Sequence, residues 1–100
     1  MEAHKTLTVD NLASVQRAVW EGRAKWYSIG LELGLKAGTL DAIQQTNHYD
    51  VNHCFTAMLK KWLRRPKLNP SWSCLARSLR ESSVGLGHLA EQLLNHDPSA

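Results

Sequence analysis

Of the side chains in this 100-residue sequence that belong to metal-holding types, His48, His53, Cys54 and Cys74 are the four whose grouping suggests a zinc site. Zinc needs three or four such groups converging on one point, and a short Cys-x-x-Cys spacing usually supplies two of them. No such pair is present. His53 and Cys54 are adjacent, so on a helix they would point about 100° apart. No metal is expected, and no cofactor. The stretch "GLELGLKAG" carries glycines but lacks the Lys-Ser/Thr ending and the preceding strand of a phosphate loop. Ser, His and Asp occur without a spacing that would align them, and a chain of this size rarely encloses a substrate-sized pocket. The expectation is that the protein is not an enzyme. Two cysteines are also too few for a disulfide framework, and both lie in apolar patterns, so they read as buried, reduced thiols.

A different kind of chemistry is concentrated in "KKWLRRPK". Lys60, Lys61, Arg64, Arg65 and Lys67 fall within eight residues around Trp62, and no acidic residue occurs between Asp50 and Glu81. Residues 1–50 carry five Lys/Arg against six Asp/Glu, whereas residues 51–100 carry seven against three. One half is mildly acidic and the other basic, an arrangement that favours head-to-tail contact between copies or weak binding to a polyanion. Cations in the last turn of a helix also complement the helix dipole, which gives the run a purely structural reading. Nucleic acid is the alternative partner. Trp62 falls on an apolar stripe and so is not free to stack on bases, and the chain lacks the broad basic footprint of a dedicated binder. No nucleic acid is expected.

The elements that must present these residues are helical in period. Leu12, Val15, Val19 and Trp20 form one face of a helix over 10–21, with Asp10 as cap and Gly22 as break. Trp26, Ile29, Gly30 and Leu33 form a second stripe, closed by Gly34. The third helix opens at Gly38-Thr39, with Thr39 as cap, Asp41 in the first turn, and Leu40 and Ile43 inward. Val51, Cys54, Phe55, Met58, Leu59, Trp62 and Leu63 give the clearest pattern, capped by Asp50 and stopped by Pro66. The fifth helix starts near Ser71 and buries Trp72, Leu75, Ala76 and Leu79. The sixth, behind a Ser83 cap, buries Leu86, Leu89, Ala90, Leu93 and Leu94. Trp26, Phe55, Trp62 and Leu89 are expected at one shared centre. No period-2 strand, internal repeat, secretory-type apolar run or run of about 20 apolar residues appears. The expectation is a cytoplasmic, all-α, six-helix bundle without membrane contact.

The order "KWYSIGLELGLKAGTLDAI", "CFTAMLKKWLRR", "PSWSCLARSLR" and "VGLGHLAEQL" resembles a death domain, over residues 8–95, with 1–7 and 96–100 as frayed termini. The resemblance implies six antiparallel helices in a Greek-key topology, no catalysis, and homotypic binding. Partners would be the chain itself or another death-fold protein, in an oligomer or filament serving cell-death or innate-immune signal transduction. It also implies where contacts fall. The end of the fourth helix and the loop after it, with Lys60, Lys61, Arg64, Arg65 and Lys67, would form half of one docking surface. The corner from Glu81 to Gly87 would form the other half. Glu32 and Asp41 on the second and third helices would meet Arg17, Lys60 or Lys61 of a neighbour. The third helix would reach loops near Arg23 and His48. Asp41 and Asp50 have capping or dipole roles to explain them, and Glu32 does not.

Overall fold

The computed structural model describes residues 6–82 and 84–95, the last two by backbone alone, and every regular element among them is helical. Six α-helices follow in order: α1 (Leu12–Ala18), α2 (Trp26–Glu32), α3 (Ala37–Thr46), α4 (Val51–Leu63), α5 (Trp72–Arg80) and α6 (Gly87–Asn95). Short 3-10 segments occur at Val9–Asn11, Trp20–Lys25 and Pro66–Leu68. No helix among the described residues is long and apolar enough to cross a membrane.

The organising element is α4, against which α1, α2, α3 and the segment Trp20–Lys25 all pack. Its start is fixed by Asp50, whose carboxylate accepts the His53 backbone N–H at 2.9 Å. Its end is fixed by Pro66, which holds Arg65 at non-helical φ −115°, ψ 85°. Between them Cys54, Phe55, Met58, Leu59 and Trp62 are fully enclosed and Leu63 nearly so. α5 is capped in the same way by Ser71, whose hydroxyl accepts the Cys74 N–H at 3.1 Å, and α5 and α6 pack extensively on each other. Trp26, Ile29, Leu33, Leu40, Ile43, Phe55, Leu59, Trp62, Trp72, Leu75 and Leu89 are all buried in one continuous core. Burying each large side chain contributes about 1.5–3 kcal/mol, and this core is the main counterweight to chain entropy.

Two helices end in hydrogen-bond pairs of the same form. At the end of α2 the Leu35 N–H donates to Gly30 C=O and the Gly34 N–H to Leu31 C=O, with Gly34 at φ +103°. At the end of α3 the Tyr49 N–H donates to Gln44 C=O and the His48 N–H to Gln45 C=O. Both are Schellman closures, which require one left-handed residue. The first uses glycine. The second uses His48 at φ 53°, and Tyr49 follows at φ 62°.

Several local expectations are corrected. Thr8, not Asp10, caps the first turn. Its hydroxyl accepts the Asp10 N–H at 3.3 Å while the Asn11 side chain accepts the Thr8 N–H at 2.9 Å. α1 ends at Ala18 instead of near residue 21, and the chain continues in 3-10 form with the Arg23 guanidinium donating to the Trp20 carbonyl at 3.0 Å. Leu12, Trp20 and Leu86, read as inward, are half-buried. Thr39 is not a cap: α3 begins at Ala37, the cap position Lys36 offers no acceptor, and Asp41 falls beyond the first turn. Val51 is 42% exposed because it starts α4 at an open corner. Cys74 is half-buried, while Cys54 is fully buried, and both thiols are free. Leu7, read as part of a frayed end, is buried, and its N–H donates to Pro70 C=O at 2.7 Å. Ser83, read as a cap, lies outside the described residues, and so does the side chain of Leu94, read as inward.

Candidate docking surface

The helical period that buries one face of α4 dictates the other. His53, Ala57, Lys60, Lys61 and Arg64 are spaced i, i+4, i+7, i+8 and i+11, one stripe along the side away from Trp62. Lys60, Lys61, Arg64 and Arg65 are exposed, whereas Trp62 and Leu63 between them are buried. Lys67 is exposed in the 3-10 turn after the helix. None of these five cations has a hydrogen-bond or ion-pair partner for its side chain among the described residues. The one acid next to the stripe, Asp50, caps the helix and lies 3.3 Å from the His53 Nδ1.

Beside this stripe runs an open groove between α3 and α4. One section, about 540 Å³, is lined by Gly38, Thr39, Ala42, Ile43 and Thr46. The other, about 280 Å³, is lined by His53, Thr56, Lys60 and Arg64. Asn47, Ala57 and Lys61 border both, so the two are one trough. It exists because short side chains face each other across the two helices. The Thr56 hydroxyl is turned onto Asn52 C=O at 3.0 Å and the Asn47 amide onto Ile43 C=O at 2.8 Å. The permanently charged groups in the trough are Lys60, Lys61 and Arg64, and Thr39 and Thr46 add hydroxyls at the other end.

No protein-family model, curated protein or solved structure matches this chain.

The residues singled out from sequence do not form one patch. Lys60, Lys61 and Arg64 share the groove, with Arg65 and Lys67 past its end. Arg17 is exposed on α1. Arg23 is half-buried, its guanidinium 4.7 Å from the centre of the Trp20 ring as well as bonded to that residue's carbonyl. Its charge is already engaged, which disfavours it as a contact. Asp41 is exposed and accepts the Tyr27 hydroxyl at 2.7 Å. This bond, and not a place in the first turn, is its structural role. Glu32 is exposed at the end of α2, and Glu81 is exposed where α5 stops. His48 is exposed at the left-handed position that closes α3.

Sequence reasoning missed the groove, together with His53, Tyr27 and Tyr49. Opposed small residues Ala42 and Ala57 carry no periodic signal that links them. Tyr27 and Asp41 are fourteen residues apart on separate helices. A legible signal existed for His53, since it continues the i, i+4, i+7, i+8, i+11 series of the basic stripe.

The remaining chemistry is sparse. Burial pushes the Cys54 thiol above its ordinary value, with the Asp50 charge adding to the effect. Its Sγ–H faces Ile43 C=O at 3.9 Å. Among the described residues no group of three or more His, Cys, Asp and Glu is placed to hold a metal ion.

Proposed function

We propose that this chain is a death-fold interaction module. Its six helices would form an antiparallel Greek-key bundle that binds copies of itself, or another death-fold protein, in cytoplasmic cell-death or innate-immune signalling, without catalysis. The observation that carries this reading is the end of α4, where Lys60, Lys61, Arg64 and Arg65 are exposed without partners over a buried Trp62. The order of apolar stripes in the sequence supports the family assignment, and six helices around one core suit it.

The mechanism is surface complementarity. The basic face meets an acidic face of a neighbour, and charges set partner choice and encounter rate more than raw affinity. A single exposed pair contributes only about 0–1 kcal/mol. An oligomer repeats each contact, so weak patches combine into a stable assembly.

Light scattering of the purified chain across its own concentration, at low salt and at about 0.15 M salt, tests the reading. Mean size should rise with concentration and fall with salt. A size independent of concentration, with salt-sensitive binding to an unrelated DNA duplex, would instead favour a nucleic-acid role for the same cations.

A further inference from the structure

The α3–α4 groove has two unlike halves, and their pairing specifies an occupant. Gly38, Ala42 and Ile43 make one end small and apolar, and Lys60 and Arg64 make the other end cationic, with Lys61 and Ala57 between. Such a trough suits a bulky apolar side chain next to a carboxylate. The large apolar side chains left exposed among the described residues are Val9, Leu31, Tyr49 and Val51. Three of them are followed directly by an acid: Val9 by Asp10, Leu31 by Glu32 and Tyr49 by Asp50. The chain therefore displays both the knob and the hole.

Geometry and charge choose among the three. Tyr49 and Val51 sit at the corner joining α3 to α4, beside Asn47 and His53 of the groove's own rim. A second copy that delivered this corner would also bring its own basic rim against the first, and like charges in apposition oppose the contact. Val9 is the least exposed of the set, at 37%, and lies in a single 3-10 turn. Leu31 is 46% exposed on the regular helix α2, which contributes no residue to the groove lining.

We propose that Leu31 of one copy seats in the small-residue end of the α3–α4 groove of a second copy, bringing the following Glu32 beside Lys61 and Arg64. This rests on the self-association reading and adds an apolar anchor to it. A desolvated anchor surrounded by contacts that exclude water is how protein interfaces concentrate their affinity. Knob and hole are on different elements, so a single contact leaves a free hole on one copy and a free knob on the other, and it propagates head-to-tail wherever the two copies do not close it reciprocally about a two-fold axis.

The test is sedimentation velocity on four proteins: wild type, Leu31→Gln, Ala42→Trp and the control Val9→Gln. Leu31→Gln removes the knob and Ala42→Trp fills the hole, both at exposed positions. Each should weaken assembly about tenfold or more, the loss expected of an interface anchor, with melting temperatures near wild type. Val9→Gln should assemble as wild type does. Mixing the two defective variants should give a 1:1 pair that grows no further, because each supplies the half that the other lacks. Should Ala42→Trp melt early, Gly38→Phe fills the same end, at a position where an added Cβ meets nothing within 4 Å. Wild-type assembly by both Leu31→Gln and Ala42→Trp overturns this inference and leaves the self-association reading standing. Loss in Ala42→Trp alone overturns Leu31 as the occupant. A wild-type chain that stays monomeric at every concentration overturns both.

Discussion

The Tyr27 hydroxyl donates to the Asp41 carboxylate at 2.7 Å, tying α2 to α3 on the surface of the bundle. The acceptor holds the phenol proton: this bond, then burial, then the Asp41 charge raise the Tyr27 pKa above its ordinary value of 10.0. A folded-state pKa above the unfolded one means that the contribution is complete below the unfolded value. It is lost as pH rises through the folded value. Tyr27→Phe should lower the melting temperature near pH 8. The gap between variant and wild type should shrink as pH rises beyond 10.0. Thermal melts across that range measure it, and a gap that widens with pH would show that the bond is not what the substitution removes.

The core is where truncation should cost most. Trp62 is fully enclosed, but its Nε1–H has no acceptor among the described residues. Trp62→Ala should lose about 3–5 kcal/mol through lost packing and the cavity left behind, a large part of the about 5–15 kcal/mol that holds a domain folded. Trp62→Phe removes the orphan donor, whose desolvation costs about 1–3 kcal/mol, together with part of the ring. It should therefore be much milder than alanine. Denaturant melts of the pair decide the matter, and equal losses would mean that the indole N–H is satisfied in solution.

At Gly30, α2 lies close against side chains of α3 and α4. A Cβ built there lies 2.7 Å from Leu40 Cδ2 and 3.1 Å from Met58 Cγ, both on fully buried side chains. Overpacking of this kind costs about 1–3 kcal/mol. Gly30→Ala should destabilise by that amount, despite the helix propensity gained. An unchanged denaturation midpoint would mean that α2 stands farther from α3 and α4.

His48 closes α3 in a left-handed conformation that costs about 1–2 kcal/mol for a residue with a Cβ. His48→Gly relieves that strain and adds entropy to the unfolded chain, so a modest gain is expected, within about 1 kcal/mol. If His48 also contacts a neighbour, assembly should weaken while the monomer becomes more stable. A loss of monomer stability would contradict the cap assignment.

The helices were legible where burial and period coincide. α4 could be read from Val51 to its stop before Pro66 because seven apolar residues repeat at helical spacing and both ends carry a strong local signal. Ser71 announced α5 for the same reason. What was not legible was local competition among near-equivalent groups. Thr8 displaced Asp10 as a cap because a reciprocal bond with Asn11 was available. Asp41 looked like a first-turn acid, yet the cap position of α3 is Lys36, three residues before the expected Thr39, and a tyrosine from another helix claims the carboxylate. The cations of the candidate surface were plain in the sequence. The groove beside them was not, since it comes from small residues on two helices whose alignment only packing sets.

The two cysteines offer a simple check on the packing. Cys54 is fully buried with its thiol pKa pushed up, whereas Cys74 is half-buried. A thiolate-seeking reagent should modify Cys74 first under native conditions, and denaturant should abolish the difference. Faster reaction of Cys54 would show that α3 and α4 separate readily.

The central claim is that the exposed end of α4 docks onto an acidic face of a neighbour. The double substitution Arg64→Glu with Arg65→Glu tests it most directly, because both side chains are exposed. Sedimentation velocity over a concentration series, alongside circular dichroism and melting curves, is the measurement. The account predicts that the doubly reversed chain keeps its helicity and nearly its melting temperature but no longer assembles. A doubly reversed chain that assembles as wild type does, over the same concentrations and salt, would contradict it.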